Sequence, residues 1–295
     1  MEDNVVKMIP REHGNKNGIK RISSLLCFIL SFLLSITFVT LAVLFVVQWT
    51  CFNKNTFYQN LLSSKYYENI LSDIYEKAEV ITLPTGLSID VLNNTIELYE
   101  VHRDVNGYLE AGFRGEAYEA DTRKLESGLE QNIDQFLETE GITADLEQRK
   151  NIELYVNSIV DEYKNSIKIP LLNFLISIRD FYEKIYFTGI IICIAVIIII
   201  IRMITGMNEW LHRTIRYVTY STTAAAFMVA IAPLVALCTG FYKRIQLAPQ
   251  YFYNLAMIFI TNIFHTFLLF SLMLIAISIT LMIAIRNIKC NLIKE

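Results

Sequence analysis

The sequence predicts an all-α integral membrane protein, with four transmembrane helices and a helical extracytoplasmic domain inserted between the first and second. Three observations carry this. Four runs of uncharged, mostly apolar residues are each long enough to cross a hydrocarbon core of about 30 Å. The polar segment between the first two runs repeats its apolar residues at three- and four-residue spacing. Lysine and arginine are distributed unequally among the short segments that flank the runs.

In chain order, residues 1–21 are read as a cytoplasmic tail, 22–50 as the first membrane helix and 51–184 as the extracytoplasmic domain. Residues 185–202 form the second membrane helix, 203–216 a cytoplasmic loop and 217–241 the third membrane helix. An outer loop at 242–250, a fourth membrane helix at 251–285 and a cytoplasmic tail at 286–295 complete the chain. The first run is too long for the apolar region of a cleaved signal peptide and no small-residue cleavage site follows it, so it is expected to be a signal anchor.

Orientation rests on the basic residues. Lys7, Arg11, Lys16, Lys20 and Arg21 precede the first span, Arg202, Arg213 and Arg216 follow the second, and Arg286, Lys289 and Lys294 follow the fourth. Only Lys243 and Arg244 occupy the other short loop. If all four runs cross, this distribution puts both termini in the cytoplasm and the large insertion outside a plasma membrane. Residues 52–184 hold 13 basic and 24 acidic side chains, a net charge of −11, whereas the whole chain is −3. Acidity of this kind keeps a translocated surface soluble, and it also offers a face to a cationic ligand.

Within the insertion, Phe57, Leu61, Tyr67, Ile70, Leu71, Ile74, Ala78 and Ile81 form one apolar helical stripe, broken at Thr82-Leu83-Pro84-Thr85-Gly86. A second helix is expected from Ile96 to Phe113, with Gly107 and Gly112 counting against it. A third starts near Asp121 or Thr122 and stops at Gly141. A fourth starts at Thr143 or Asp145 and ends before Pro170, and from Leu171 one helix should lead into the second span.

Span three carries two rows of small residues, Thr222, Ala226 and Ala230, then Ala232, Ala236 and Gly240, with Pro233 between them. Small residues let helix backbones approach closely in lipid, so these rows are the candidate packing seam and span three the central helix, with isoleucine-rich span two facing lipid. In the last run, Asn254, Thr261, Asn262 and His265 form a polar stripe expected to face protein or water. That run is 35 residues without a charge, about 52 Å of helix, and must tilt, kink or project.

Motifs for chemistry are absent from the sequence. There is no H-E-x-x-H, G-x-S-x-G, Walker A loop or G-x-G-x-x-G, and Glu100, His102 and Asp104 diverge around a helix. No catalytic, cofactor or metal residues are assigned, and no nucleic-acid partner. Asn93-Asn94-Thr95 fits a glycosylation acceptor, but Thr95 is equally a helix cap. Cys51 and Cys238 both fall near the outer face, where a disulfide is conceivable.

The chain holds 42 isoleucines with abundant Asn and Lys, a bias typical of AT-rich genomes. With the stretch Val105-Asn106-Gly107-Tyr108-Leu109-Glu110 to Arg114-Gly115-Glu116, its layout resembles the uncharacterised multi-span membrane proteins of low-GC Gram-positive bacteria. That resemblance implies no named activity. The expected function is a non-enzymatic membrane protein whose outer domain meets a protein partner or a second copy, or senses the envelope. The alternative is a small transporter or channel subunit.

Overall fold

The computed structural model describes residues 13–170, 172–208 and 210–294, with side chains from Ile22 onward except at positions 180, 289 and 291–294. Lys7, Arg11 and Leu171 lie outside the described residues, as do the side chains of Lys16, Lys20, Arg21, Lys289 and Lys294. Among the described residues every element is helical and none is a strand. The helices are α1 (His13–Cys51), α2 (Lys54–Ser63), α3 (Tyr66–Thr82), α4 (Leu98–Arg114), α5 (Arg123–Glu140), α6 (Leu146–Ser166), α7 (Leu172–Met207), α8 (Leu211–Thr239) and α9 (Gln250–Lys294). Short 3-10 turns occupy Leu83–Thr85, Ile89–Leu92 and Phe241–Arg244. The segments Ile22–Cys51, Phe181–Met207, Leu211–Thr239 and Gln250–Ile288 are long and apolar enough to cross a membrane.

The chain divides into two compact units. The first comprises the described residues up to Val47, Ile185–Thr239 and the described residues from Ile263 on; the second comprises Gln48–Lys184 and Gly240–Asn262.

In the first unit, Cys27 and Leu34 of α1 are buried with Ile200 and Ile204 of α7. Ala225 and Ala226 of α8 are buried with Leu274 of α9. Hydroxyls tie the helices where charge is absent. Ser31 donates to the Tyr217 carbonyl at 2.9 Å, Ser271 donates to the Ala226 carbonyl at 2.9 Å, and Thr223 and Ser278 share a hydrogen bond of 2.5 Å. Such bonds are worth about 1 kcal/mol each in lipid. In the most apolar stretch of each span, a third of spans one and three is buried, against 17% of spans two and four, so the more enclosed helices there are α1 and α8. The sequence offered no sign that α1 would share this position, because its polar contributors are isolated serines.

The small-residue seam takes a different path from the two rows read in the sequence. Thr222, Ala226 and Ala236 are buried and Ala230 is half-buried, but Ala232 is exposed. The buried line passes instead through Ala225, Val229 and Pro233. Gly240 lies beyond the end of α8 with φ +60°, so a left-handed backbone, not helix packing, requires glycine there.

The second unit has a core of its own, drawn from α2 to α6 with Leu172 of α7 and Tyr251 and Leu255 of α9. The first turns of α9 therefore belong to this unit, which accounts for the excess length of the last apolar run. The single stripe from Phe57 to Ile81 is two helices. Ser64 donates to the Leu61 carbonyl at 2.9 Å and closes α2, Lys65 turns the chain at φ +50°, and Asn69 donates to the Ser64 carbonyl at 3.1 Å. Both helices bury their apolar face in the same core, so the turn leaves no break in the hydrophobic pattern. Helix α6 starts at Asp145, whose side chain accepts from the Gln148 N–H at 2.8 Å while the Gln148 side chain accepts from the Asp145 N–H at 2.9 Å.

All five cysteines are free thiols, which removes the disulfide considered for Cys51 and Cys238. Thr95 does not cap α4; its hydroxyl bonds the Leu92 carbonyl, and Glu97 is the capping residue.

The packing of α8 yields a test. Ala226→Leu adds bulk at a fully buried contact and should destabilise the detergent-solubilised protein by about 1–3 kcal/mol. Ala195→Leu on α7 and Ala232→Leu on α8, both at exposed positions, should change thermal stability little. Equal losses at all three positions would disprove this seam.

Candidate functional site

The second unit is organised around one carboxylate. Asp104 on α4 is fully buried. Its oxygens accept hydrogen bonds from Arg103 Nε at 2.7 Å, the Tyr118 hydroxyl at 2.9 Å and the Tyr163 hydroxyl at 2.7 Å. A buried charge is tolerated only with this degree of pairing. Arg103 also donates to the Asp121 carbonyl at 3.3 Å, pinning the segment that leads into α5. The two glycines that weakened the helix prediction for α4 are the sites of closest approach. The Tyr118 ring covers Gly107 and the Ile176 side chain covers Gly112, each where a Cβ would stand.

Further polar links fix α5 and α6. Lys124 bridges Glu97 at 2.9 Å and Glu100 at 3.2 Å. Asn132 donates to the carbonyls of Val91 and Asn93 at 2.9 and 3.1 Å. The Tyr155 hydroxyl of α6 shares a buried 2.7 Å hydrogen bond with Thr82 at the end of α3.

These links hold open two adjoining concavities at the junction of α5 and α6. One, of about 470 Å³, runs along Pro84–Leu87 and is floored by Phe136, Leu137, Ile152 and Tyr155. The other, of about 650 Å³, is rimmed by Glu130, Asp134, Glu138 and Glu153, with Arg149 the one basic residue in its lining. Leu137, Ile142, Ala144 and Ile152 line both, so the two share an apolar floor. Ile142, which lines both, is 45% exposed. The sequence signal for this site was weak. Glu130, Asp134 and Glu138 follow helical spacing, but so do most acidic residues of a solvated face.

The residues singled out in the sequence fall elsewhere. Asn254 accepts from Gln250 at 3.3 Å, Thr261 shares a 3.2 Å hydrogen bond with the Tyr242 hydroxyl, and Asn262 donates its amide to Asn60, all within the second unit. His265 does not join them and is exposed. Its i+4 spacing from Thr261 was sound, but the three others are engaged by side chains of the second unit and His265 belongs to the first. Of the seam residues, Thr222 and Ala226 sit near the interhelical bonds of Thr223 and of the Ala226 carbonyl, while Ala230, Ala232, Ala236 and Gly240 form no polar site. Among the described residues no cluster of His, Cys, Asp and Glu can hold a metal ion. His102 stacks on Tyr67 with ring centroids 3.7 Å apart. Comparison with protein-family models, with curated proteins and with solved structures finds no match for this chain.

Burial acts on several tyrosines of this unit. It raises Tyr163 and Tyr66 well above the ordinary phenol range, and for Tyr163 the hydrogen bond to Asp104 adds to the effect. Burial first, and the Asp104 hydrogen bond second, push Tyr118 up to about 12. Burial also carries Tyr67 to about 12, opposed by its hydrogen bond to Asn106.

Two predictions follow from this arrangement. Asp104→Ala should cost about 3 kcal/mol or more, because the Tyr163 and Tyr118 hydroxyls lose their acceptor. Asp121→Ala, which breaks an exposed pair with Arg123, should cost far less in the same denaturation experiment. The tyrosines set an alkaline limit. An unfolded tyrosine ionises near pH 10. A raised folded-state pKa therefore gives stability that is complete below about pH 10 and is lost as pH rises toward 12. Denaturation midpoints should hold from pH 7 to 9 and fall above pH 10 (about one pH unit steps suffice). A midpoint that rises above pH 10 would refute the assignment.

Proposed function

We propose that this is a non-enzymatic plasma-membrane protein whose acidic helical unit lies outside the cell and binds a partner there. The observation that carries this reading is the second unit itself. It has its own core, organised by a fully paired buried carboxylate, and it presents an open, apolar-floored concavity rimmed by acidic side chains. The four apolar helices support membrane residence. The eleven basic residues on one set of short segments, against two on the other, support both termini inside and residues 51–184 outside.

A second reading, a transporter or channel subunit, has one observation in its favour: the Thr223–Ser278 hydroxyl pair in the bundle. Against it, no Asp, Glu, Lys or Arg occurs in the span cores, and ion-coupled carriers generally use such groups.

Single cysteines introduced at Ser127 and Gln246 should react with an impermeant thiol reagent in intact cells, on a background lacking the native cysteines. One introduced at Asn17 should react only after permeabilisation. Labelling at Asn17 alone would overturn the placement. In planar bilayers the purified protein should pass no current; a conductance altered by Thr223→Val or Ser278→Ala would favour the channel reading instead.

A further inference from the structure

We infer that the concavity at the α5–α6 junction takes a cationic amphipathic peptide segment. This rests on the reading just given and names the chemistry of the partner. The apolar face of the peptide would lie on Leu137, Ile142 and Ile152, and its basic residues would face the ridge of Glu130, Asp134 and Glu138.

Charge complementarity selects this occupant. Several acidic residues elsewhere on the unit are neutralised within it. Glu97 and Glu100 share Lys124, Glu110 holds Lys54 and Arg114, and Asp73 and Glu162 share Lys77. Glu130, Asp134, Glu138 and Glu153 form no ion pair among the described residues, although all four rim one concavity. Residues 130, 134 and 138 are spaced four apart on α5, so their carboxylates line up along one edge. The floor beside them is apolar, and Ile142 within it stands 45% exposed. An apolar floor with one charged edge is the complement of an amphipathic helix with basic residues flanking its apolar face. The same ridge repels an anionic lipid surface, which argues against the membrane as the occupant.

The test uses the full-length protein in lipid nanodiscs, with a fluorescent synthetic peptide of leucine and lysine in amphipathic helical order as the probe. Empty nanodiscs give the lipid background. The wild type should bind this peptide saturably, at least tenfold more tightly than a serine/lysine peptide of the same charge pattern, and should not bind a leucine/glutamate counterpart. Affinity should fall as salt rises from low to physiological strength. The triple variant Glu130→Lys, Asp134→Lys, Glu138→Lys should weaken binding at least tenfold with an unchanged circular dichroism spectrum. Ile142→Ser, at an exposed position that lines both concavities, should weaken it about threefold.

Binding that survives the charge reversal would overturn the inference. So would equal binding of the serine/lysine peptide, or association with anionic vesicles that the reversal does not strengthen. Labelling at Ser127 separates the two levels. A protein labelled there from outside, yet indifferent to the reversal, loses only the peptide site. A protein unlabelled there loses the placement on which the site depends.

Discussion

Asp104 is the constraint from which the second unit takes its form. A carboxylate at zero exposure must be surrounded by donors, and its donors come from three separate stretches of chain: Arg103 beside it, Tyr118 in the segment before α5 and Tyr163 on α6. Because each bond is charge-assisted, the set is short and directional. Once α6 is fixed to α4 through Tyr163, its middle reaches Thr82 through Tyr155, and the wall of the concavity is set by Pro84–Leu87. A surface feature thus derives its shape from a group that no ligand in that concavity would touch.

The membrane bundle solves the packing problem by another route. Among its interhelical bonds are those of Ser31, Ser271, Thr223 and Ser278, groups that place a donor in the interior without a net charge. Lipid gives helices no hydrophobic reason to associate, so close backbone approach has to supply the attraction. Ala225 and Ala226 provide it on α8, and Gly189 provides it on α7, where the Leu44 side chain occupies the space a Cβ would need.

Much of this architecture was legible in the sequence for simple reasons. Apolar runs of twenty or more residues have few alternatives to a spanning helix. The starts and stops of α5 and α6 were marked by Thr122, Gly141 and Asp145. What escaped was of two kinds. The turn at Lys65 kept the phase of the hydrophobic pattern, so α2 and α3 looked like one helix. The Asp104 cluster, the seam through Val229 and Pro233, and the exposure of His265 depend on which distant residues meet, and periodicity along one helix contains no such information. The concavity at α5–α6 was hidden for the same reason, since its floor and rim come from three segments.

Gly107 and Tyr118 form a pair with a consequence for how this sequence can change. The ring of Tyr118 occupies the space over Gly107, and its hydroxyl serves Asp104. A methyl group at position 107 can be accommodated only by moving or trimming that ring. Trimming the ring takes from Asp104 Oδ1 one of its two donors and leaves it Arg103 Nε alone. Neither position is free to drift alone, and no single substitution at one repairs a loss at the other. A change at position 107 is therefore coupled to position 118 and, through its hydroxyl, to the donors of Asp104.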